Sequence, residues 1–284
     1  MKIPYEKQLN AFLEIALNED IGNGDHTSLA CIPPTKKGKV ILLVKEKGII
    51  AGIKVAEAIF ERVDKDSVFE ANLTDGAVVG PGDIAFFVTG NIRAILKVER
   101  ILLNIMQRMS GIATQTEHYV SKLHGMKTRV MDTRKTSPGM RFLEKEAVRI
   151  GGGENHRMGL YDMIMIKDNH IAYAGGIRKA IEKAHRYLEK RNLNLKIEIE
   201  AHDLAAVAEI LEVGRIDRIM LDNFTVSDTE KAVEMINGRF EIESSGGITL
   251  ETIRDYAECG IDYVSIGALT HQSKSLNLSL KAIT

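Results

Sequence analysis

Arg218-Ile219-Met220-Leu221 is the first of three short apolar runs that determine the fold of this chain. The second run is Phe240-Glu241-Ile242-Glu243, and the third is Tyr263-Val264-Ser265-Ile266. The strands that they predict end 23 and 22 residues apart, and a helix-period segment fills each interval. Short apolar strands that alternate with helices are typical of βα units around a parallel sheet.

Three earlier runs of the same kind bring the predicted parallel strands to six. They are Thr128-Arg129-Val130-Met131-Asp132, Met163-Ile164-Met165-Ile166 and Leu195-Lys196-Ile197-Glu198-Ile199. This number favours a closed or nearly closed α/β barrel over a doubly wound open sheet, which shares the pattern. Before residue 110, strands and helices are mixed, which predicts a separate α+β domain. A long helix is expected over about Ile92–Ser110, where apolar residues recur at i, i+3 and i+4.

The composition excludes several classes of protein. The 284 residues include 38 Lys and Arg against 39 Asp and Glu, with no Trp, so a nucleic-acid partner is not expected. Cys31 and Cys259 form no metal-binding or disulfide pattern, which favours a reducing compartment. No apolar run approaches the roughly 18 residues of a membrane span, and the N-terminus has no signal-peptide core. We therefore predict a cytoplasmic enzyme with no membrane partner.

Charged residues follow the predicted barrel strands, where the functional groups of α/β barrels lie. Arg134 and Lys135 follow one strand, and Lys167 follows the next. Glu200 and Asp222 end two later strands, and carboxylate oxygens are preferred ligands of Mg²⁺. The set suits a polyanionic substrate bound with Mg²⁺. Ordinary surface ion pairs are the alternative for each residue alone, but they explain the whole set on one face less well.

Glycine-rich turns follow two of the late strands. Ser245 and Gly246 stand between a strand and a predicted helix, and Gly267 ends the following strand. Barrels commonly bind phosphate with the backbone N–H groups of loops in these positions. A phosphorylated ligand is the favoured interpretation, and turns that only relieve backbone strain are the alternative.

A run of three glycines, Gly151-Gly152-Gly153, precedes His156 and Arg157. The run follows a helix predicted over residues 138–150, with Ser137 as its N-cap. Both His156 and Arg157 return to the end of the first two barrel strands, near Arg134. Arginine binds planar carboxylates and phosphates through two nitrogens at once, so we expect a carboxylate-bearing ligand here. A flexible connection with solvated basic residues is the alternative.

Several of these segments resemble one known family. The matching segments are Glu99-Arg100, Leu103-Asn104, Gln107-Arg108, Ser110-Gly111-Ile112-Ala113-Thr114, Asp132-Thr133-Arg134-Lys135-Thr136, Pro138-Gly139, Gly151-Gly152-Gly153, Asn155-His156-Arg157, Lys167-Asp168-Asn169-His170-Ile171, Glu198-Ile199-Glu200, Leu221-Asp222-Asn223, Ser245-Gly246-Gly247-Ile248 and Gly267-Ala268-Leu269-Thr270-His271. From about residue 13 to its end the chain resembles quinolinate phosphoribosyltransferase, also called nicotinate-nucleotide pyrophosphorylase (carboxylating). Two departures are small: Asn277 stands where an acidic residue is usual, and Gln272 where Ser is common.

The resemblance implies an α/β protein with two domains. An N-terminal α/β sandwich domain covers residues 1–110 and is completed by about 269–284, and an incomplete α/β barrel covers 111–268. It also implies a homodimer with a shared active site, to which Arg100 contributes across the subunit boundary. The implied reaction joins quinolinate to phosphoribosyl pyrophosphate with Mg²⁺ and without an organic cofactor. The products are nicotinate mononucleotide, pyrophosphate and CO₂, in NAD biosynthesis.

The resemblance also assigns roles to individual residues. The implied catalytic residues are Lys135, Lys167, Glu200 and Asp222. The implied substrate-binding residues are Arg100, Arg134, Lys135, His156, Arg157, Lys167, Glu200, Asp222, Ser245, Gly246 and Gly267. Glu200 and Asp222 either hold Mg²⁺ or bind the ribose hydroxyls, and the sequence leaves both open.

Three other functions are consistent with parts of the pattern. A Schiff-base aldolase would use Lys167 as its nucleophile but would not need Arg134, His156 and Arg157. A nicotinate phosphoribosyltransferase would share much of the fold but bind one carboxylate fewer. A non-enzymatic anion-binding relative associated with molybdate transport would bind ligand without turnover.

Overall fold

The computed structural model describes residues 5–283, and the chain divides into two compact units. The first unit comprises Met1–Glu117, Thr136–Gly152 and Leu269–Thr284, and the second comprises His118–Lys135 and Gly153–Ala268. Residues 136–152 therefore group with the first unit, although they lie in the 111–268 range predicted for the barrel. None of the described helices is long and apolar enough to cross a membrane.

Strands and helices alternate regularly only in the second half of the chain. The strands are β1 (Lys37–Val44), β2 (Gly48–Ile49), β3 (Val68–Ala71), β4 (Val78–Val79), β5 (Ile84–Asn91), β6 (Arg129–Met131), β7 (Ile164–Ile166), β8 (Ile197–Ala201), β9 (Arg218–Asp222), β10 (Glu241–Ser245), β11 (Tyr263–Ser265) and β12 (Leu278–Ile283). The helices are α1 (Tyr5–Ile21), α2 (His26–Cys31), α3 (Ile53–Val63), α4 (Ile92–Lys122), α5 (Arg141–Ile150), α6 (Asp168–Ala174), α7 (Ile177–Arg191), α8 (Leu204–Val213), α9 (Val226–Ile236), α10 (Ile253–Glu258) and α11 (Ala268–His271).

The first unit contains a four-stranded antiparallel sheet in the order β12-β1-β5-β3. The C-terminal strand β12 pairs with β1 along most of its length, so the end of the chain belongs to the N-terminal sheet. Helix α3 buries Ile59 and Phe60, and the Phe60 ring meets Phe86 of β5 edge-on, with 6.3 Å between centroids. Aromatic contacts of this kind add to the free energy gained by burying apolar surface.

Helix α4 continues twelve residues beyond the predicted end at Ser110. Both residues of the Ser-Gly pair at this point make packing contacts inside the helix. Ser110 is buried, and its hydroxyl accepts a hydrogen bond from the Ala51 backbone N–H at 2.9 Å. Gly111 lets the backbone of Lys274 approach: a Cβ at position 111 would lie 2.1 Å from the Lys274 carbonyl oxygen. The glycine therefore serves close packing, not helix termination.

We expect Gly111→Ala to destabilise the protein. Its Cβ would overlap a backbone carbonyl that no side-chain rotation can move, and overpacking of this kind costs about 1–3 kcal/mol or more. The measurement is the urea or thermal unfolding midpoint. Gly80→Ala is the matched control, because a Cβ at position 80 would have no neighbour within 4 Å. Equal unfolding midpoints for the two variants would contradict the assigned role of Gly111.

The second unit contains six parallel strands in the order β7-β8-β9-β10-β11-β6, which confirms the six strands predicted from the sequence. β6 and β7 are consecutive in the chain but form the two edges of this sheet, so the barrel is incomplete, as the resemblance implied. Asp222, Ser245 and Ser265 lie opposite one another in the register of neighbouring strands. The carboxyl ends of the strands therefore meet at one level.

Two of the described helices begin later than the sequence predicts. Helix α5 begins at Arg141 after an N-cap at Met140, and Ser137 instead donates its backbone N–H to Glu144 Oε2 at 3.0 Å. Helix α10 begins at Ile253, eight residues after Ser245, so the turn after β10 does not lead directly into a helix. Any phosphate bound at this turn would contact the N–H groups of the turn itself.

Candidate active site

The carboxyl ends of the parallel strands surround a cavity of about 500 Å³. It is lined by Thr133, Arg134, Lys135, His156, Arg157, Met165, Lys167, Glu200, Met220, Asp222, Glu243, Ser245 and Ser265. Eight predicted site residues are therefore brought together: Arg134, Lys135, His156, Arg157, Lys167, Glu200, Asp222 and Ser245. Gly246 and Gly267 follow lining strands without lining the cavity, and Arg100 belongs to the first unit.

The cations of the cavity come from three loops. Arg134 and Lys135 follow β6 and are exposed, Lys167 follows β7, and Arg157 precedes β7 and is half-buried. Burial lowers the pKa of Arg157, and the nearby charge of Arg134 lowers it further. The neighbouring positive charges of Arg134 and Arg157 favour a bound anion, because an anion can pair with both guanidinium groups and relieve their repulsion.

Two acidic residues of the cavity face basic ones. Glu200, buried at the end of β8, forms an ion pair with Lys167 through Oε1 and Nζ. Asp222 Oδ2 accepts a hydrogen bond from the side-chain amide of Asn223 at 2.9 Å and lies 3.6 Å from Nδ1 of His202. The Lys167 ammonium is thereby paired with a carboxylate, whereas a Schiff-base aldolase would need this amine free to attack a carbonyl carbon.

Asp168 and His202 extend the acidic side of the cavity and were not among the predicted site residues. His202 Nε2 bonds to Asp168 Oδ1, and one ligand atom each of Asp168, Glu200 and His202 lies within 4.8 Å of the others. With Asp222 nearby, this donor set of carboxylate oxygens and one imidazole fits a hard divalent cation. The sequence contained a signal for both residues, because Asp168 directly follows Lys167 and His202 lies two residues after Glu200.

A second group of charges lies inside the barrel, and we call it the interior cluster: His156, Glu198, Arg218 and Glu243. All four side chains are at most 7% exposed. His156 Nε2 is 3.0 Å from Glu198 Oε2 and 3.3 Å from Glu243 Oε2, and Arg218 Nη1 is 2.8 Å from Glu243 Oε2. The Arg218 guanidinium also stacks on the Tyr263 ring, 4.1 Å from its centroid.

These contacts shift the pKa values within the interior cluster. Burial and the charge of Glu243 raise the pKa of Glu198 to about 7. Burial also acts to raise the pKa of Glu243, but the hydrogen bond from His156 and the charges of His156 and Arg218 outweigh it and lower that pKa. Burial acts to lower the pKa of His156, but hydrogen bonds and charges of the two glutamates raise it to about 9. The cluster thus balances two glutamates against two basic groups.

Three members of the interior cluster were not identified as site residues from the sequence, although the alternation of strand residues contained the signal. Glu198 stands two residues before Glu200 in β8, Arg218 begins β9, and Glu243 stands two residues before Ser245 in β10. Residues i and i+2 of a strand share a face. These charges therefore point to the same interior side as the residues that line the cavity.

Gly246 has a packing role in the turn after β10. Its φ is +92°, and a Cβ there would lie 2.2 Å from Oδ1 of Asn223. The Asn223 backbone N–H donates to the Ser245 carbonyl oxygen at 2.8 Å. Gly246 therefore allows the loops after β9 and β10 to approach each other, which leaves its contact with a phosphate a prediction.

Arg100 lies on the exposed face of α4 in the first unit. It lines a different cavity, of about 570 Å³, together with Phe12, Ile15 and Asn104. None of the carboxylates among residues 5–283 forms an ion pair with it. An arginine in this state is available to a ligand or to a second chain.

The motifs on this scaffold match two family models. The model described as the quinolinate phosphoribosyl transferase N-terminal domain matches residues 25–110, and the C-terminal domain model matches residues 112–281. The chain belongs to the quinolinate phosphoribosyltransferase family. The matched ranges together cover nearly the whole chain.

Relatives within this family are similar over most of their length. Quinolinate phosphoribosyltransferase [decarboxylating] 1b of Nicotiana tabacum is 45% identical over 97% of this chain and 83% of that protein. The probable nicotinate-nucleotide pyrophosphorylase [carboxylating] of Bacillus subtilis is 40% identical over 96% of this chain and 93% of that protein. A crystal structure of NadC from Streptococcus pyogenes is 39% identical, covers 100% of both chains and has a TM-score of 0.92.

A more distant similarity concerns the alternative of a nicotinate phosphoribosyltransferase. The structure of human nicotinic acid phosphoribosyltransferase has a TM-score of 0.61 and 12% identity. At that identity the comparison shows a shared fold and nothing about substrate. The quinolinate phosphoribosyltransferase family is therefore favoured over the nicotinate enzyme.

Proposed function

We propose that the protein transfers the 5-phosphoribosyl group of phosphoribosyl pyrophosphate to quinolinate. The products are nicotinate mononucleotide, pyrophosphate and CO₂, in NAD biosynthesis. One observation supports this most: Arg134, Lys135, Arg157 and Lys167 share a single cavity with acidic residues, in a chain of the quinolinate phosphoribosyltransferase family. Both proposed substrates are polyanions, and the cavity has cations for each.

Each proposed substrate has its own set of residues. Quinolinate carries two adjacent carboxylates, which Arg134 and Arg157 bind. Lys135 and Lys167 neutralise the pyrophosphate, and Ser245, Gly246 and Gly267 bind the 5-phosphate. Glu200 and Asp222 face the ribose or hold Mg²⁺, whose charge would help pyrophosphate to leave.

The reaction has two steps, transfer of the phosphoribosyl group and decarboxylation. The bond between ribose C1 and the pyrophosphate oxygen breaks, and the pyridine nitrogen forms its bond to the same carbon. The enzyme aligns the two reactants and neutralises the leaving group, because positive charge develops on the ribose. The ring nitrogen becomes cationic and accepts electron density, so the C2–carboxylate bond breaks, CO₂ leaves and a proton from water replaces it at C2. No organic cofactor takes part.

The proposal includes an assembly and a location. Two chains form a homodimer in which Arg100 of one subunit completes the site of the other. The solvated position of Arg100 on α4, without an ion-pair partner among the described residues, supports this. We place the protein in the cytoplasm because its two cysteines form no disulfide pattern and are free.

A coupled assay tests the proposed function. Purified protein with quinolinate, phosphoribosyl pyrophosphate and Mg²⁺ should release CO₂ and pyrophosphate in equal amounts. Pyrophosphate without CO₂, or binding of quinolinate without turnover, would contradict it. The second outcome would favour the anion-binding relative.

Glu200→Gln and Asp222→Asn should each weaken the binding of Mg²⁺-pyrophosphate. Amide oxygens are weaker ligands of Mg²⁺ than carboxylates, so we expect a loss of about tenfold or more. Calorimetric titration with Mg²⁺-pyrophosphate and with quinolinate alone measures the effect, and quinolinate affinity should change less. Glu212→Gln is the control because Glu212 is exposed on α8, outside the cavity. Unchanged Mg²⁺ dependence in both site variants would assign these carboxylates to the ribose.

A further inference from the structure

The loop that carries Arg157 is rich in glycine, so its own sequence does little to restrict its backbone. Hydrogen bonds to other parts of the chain hold it in place. Three glycines at 151–153 precede it, and Gly152 has a φ of +88°. Asp132, fully buried after β6, accepts a hydrogen bond from the His156 backbone N–H at 2.9 Å and another from Asn155 Nδ2 at 2.5 Å. This fixes the backbone up to His156 but not Arg157.

The His156 ring supplies the next link. The backbone N–H of Arg157 donates to Nδ1 of His156 at 2.7 Å. Nε2 of the same ring faces Glu198 at 3.0 Å and Glu243 at 3.3 Å. An imidazole nitrogen forms one in-plane hydrogen bond, as donor or as acceptor. Nδ1 is therefore hydrogen-bonded within the protein and Nε2 lies within ion-pair distance of two glutamates, although His156 lines the cavity.

The same contacts determine where the ring proton lies. The glutamates favour a charged ring, but a charged ring has no lone pair on Nδ1 for the Arg157 N–H. The hydrogen bond from the Arg157 N–H therefore opposes the second ring proton that the glutamates favour when they raise the pKa of His156. We infer the form in which Nδ1 is unprotonated and the proton on Nε2 faces the glutamates.

We propose that His156 is a positioning residue that orients Arg157 and does not itself bind the substrate. Glu198 and Glu243 fix the ring through Nε2, and the ring fixes the Arg157 backbone through Nδ1. Arg218 holds Glu243 in turn, through its 2.8 Å contact. The interior cluster therefore acts on quinolinate through Arg157. This inference rests on the proposed function, because quinolinate is the ligand that Arg157 is taken to bind.

Two substitutions separate the two nitrogens of the ring. In His156→Asn the side-chain oxygen takes the place of Nδ1 and can accept the Arg157 N–H. In His156→Gln the amide reaches the position of Nε2 and can donate to the glutamates, but nothing replaces Nδ1. We expect the KM for quinolinate to rise about threefold in the first variant and about thirtyfold in the second, if one charge-assisted contact is lost. In both variants, the KM for phosphoribosyl pyrophosphate should change less than the KM for quinolinate.

Nitrogen NMR of the unmutated protein with ¹⁵N-labelled histidine rings tests the inference independently of these variants. The His156 signal, identified by its loss in His156→Asn, should show a protonated Nε2 and an unprotonated Nδ1, unchanged by saturating quinolinate. If the asparagine variant does not fold, substitution of each other histidine in turn assigns the other signals, and the His156 signal is then identified as the one that remains.

Three results would overturn the positioning role: a doubly protonated ring, ring signals that change with quinolinate, or an equal loss in the two variants. Failure of the proposed function has a different signature. The unmutated protein would then release no CO₂ from quinolinate, while the protonation state of the ring in the free protein would still decide whether His156 holds Arg157.

Discussion

Turnover of quinolinate should exceed turnover of nicotinate by about 10³-fold in kcat/KM, or about 4 kcal/mol. Nicotinate has one carboxylate, so it can form only one of the two contacts proposed for quinolinate with Arg134 and Arg157. Losing a contact between opposite charges that the bound substrate desolvates costs about 2–5 kcal/mol. The lowered pKa of Arg157, from burial and from Arg134, shows that these two cations already disfavour each other. Initial rates of pyrophosphate release with each substrate measure the ratio.

Variants of Arg157 sharpen this prediction. Arg157→Ala should lose quinolinate turnover without gaining useful nicotinate turnover, because the orientation of the ring nitrogen is lost together with the charge. Arg157→Lys keeps the charge but not the two-nitrogen fork, so it should restore only part of the activity. Arg186→Ala, on the exposed face of α7, is the control. Comparable efficiency of the unmutated protein with nicotinate would instead support a nicotinate phosphoribosyltransferase.

The barrel could be predicted from the sequence because its signals are local. Each strand is a short apolar run followed by a polar end, and parallel sheets place those ends together whatever the order of the strands. This is why the spacing alone placed Lys167, Glu200 and Asp222 at the same end of the sheet, where they line one cavity. The edge positions of β6 and β7 have no such signal, so the open barrel was implied by family resemblance alone.

The interior of the barrel was harder to predict because its residues are unlike a usual core. Glu198 and Glu243 are 0% exposed, whereas charged residues are almost never fully buried unless they are paired. Their partners, Arg218 and His156, come from positions 20 or more residues away, so no local pattern indicates the pairing. The end of α4 was placed too early, at Ser110, for a related reason: the contact that requires a glycine at position 111 comes from Lys274.

The largest single loss of activity outside the barrel should come from Arg100→Ala. We expect kcat/KM to fall by about 10²-fold or more while the proposed dimer persists, because the charge proposed to pair with substrate is removed. The alternative is a solvated arginine, whose removal would change stability and activity little. Lys97→Ala is the matched control, as an exposed cation of the same helix. Size-exclusion chromatography shows whether each variant remains dimeric.

Mixed dimers decide whether Arg100 acts across the subunit boundary. Lys135 lines the barrel cavity, so Lys135→Ala should inactivate the site of its own subunit. In a dimer of one Arg100→Ala chain and one Lys135→Ala chain, one site keeps both residues only if Arg100 is donated by the neighbour. Random mixing of equal amounts makes half of the dimers mixed, so about a quarter of the normal activity should return in a twofold-symmetric assembly. If Arg100 served its own subunit, both sites of every mixed dimer would lack one residue, and mixing would restore nothing.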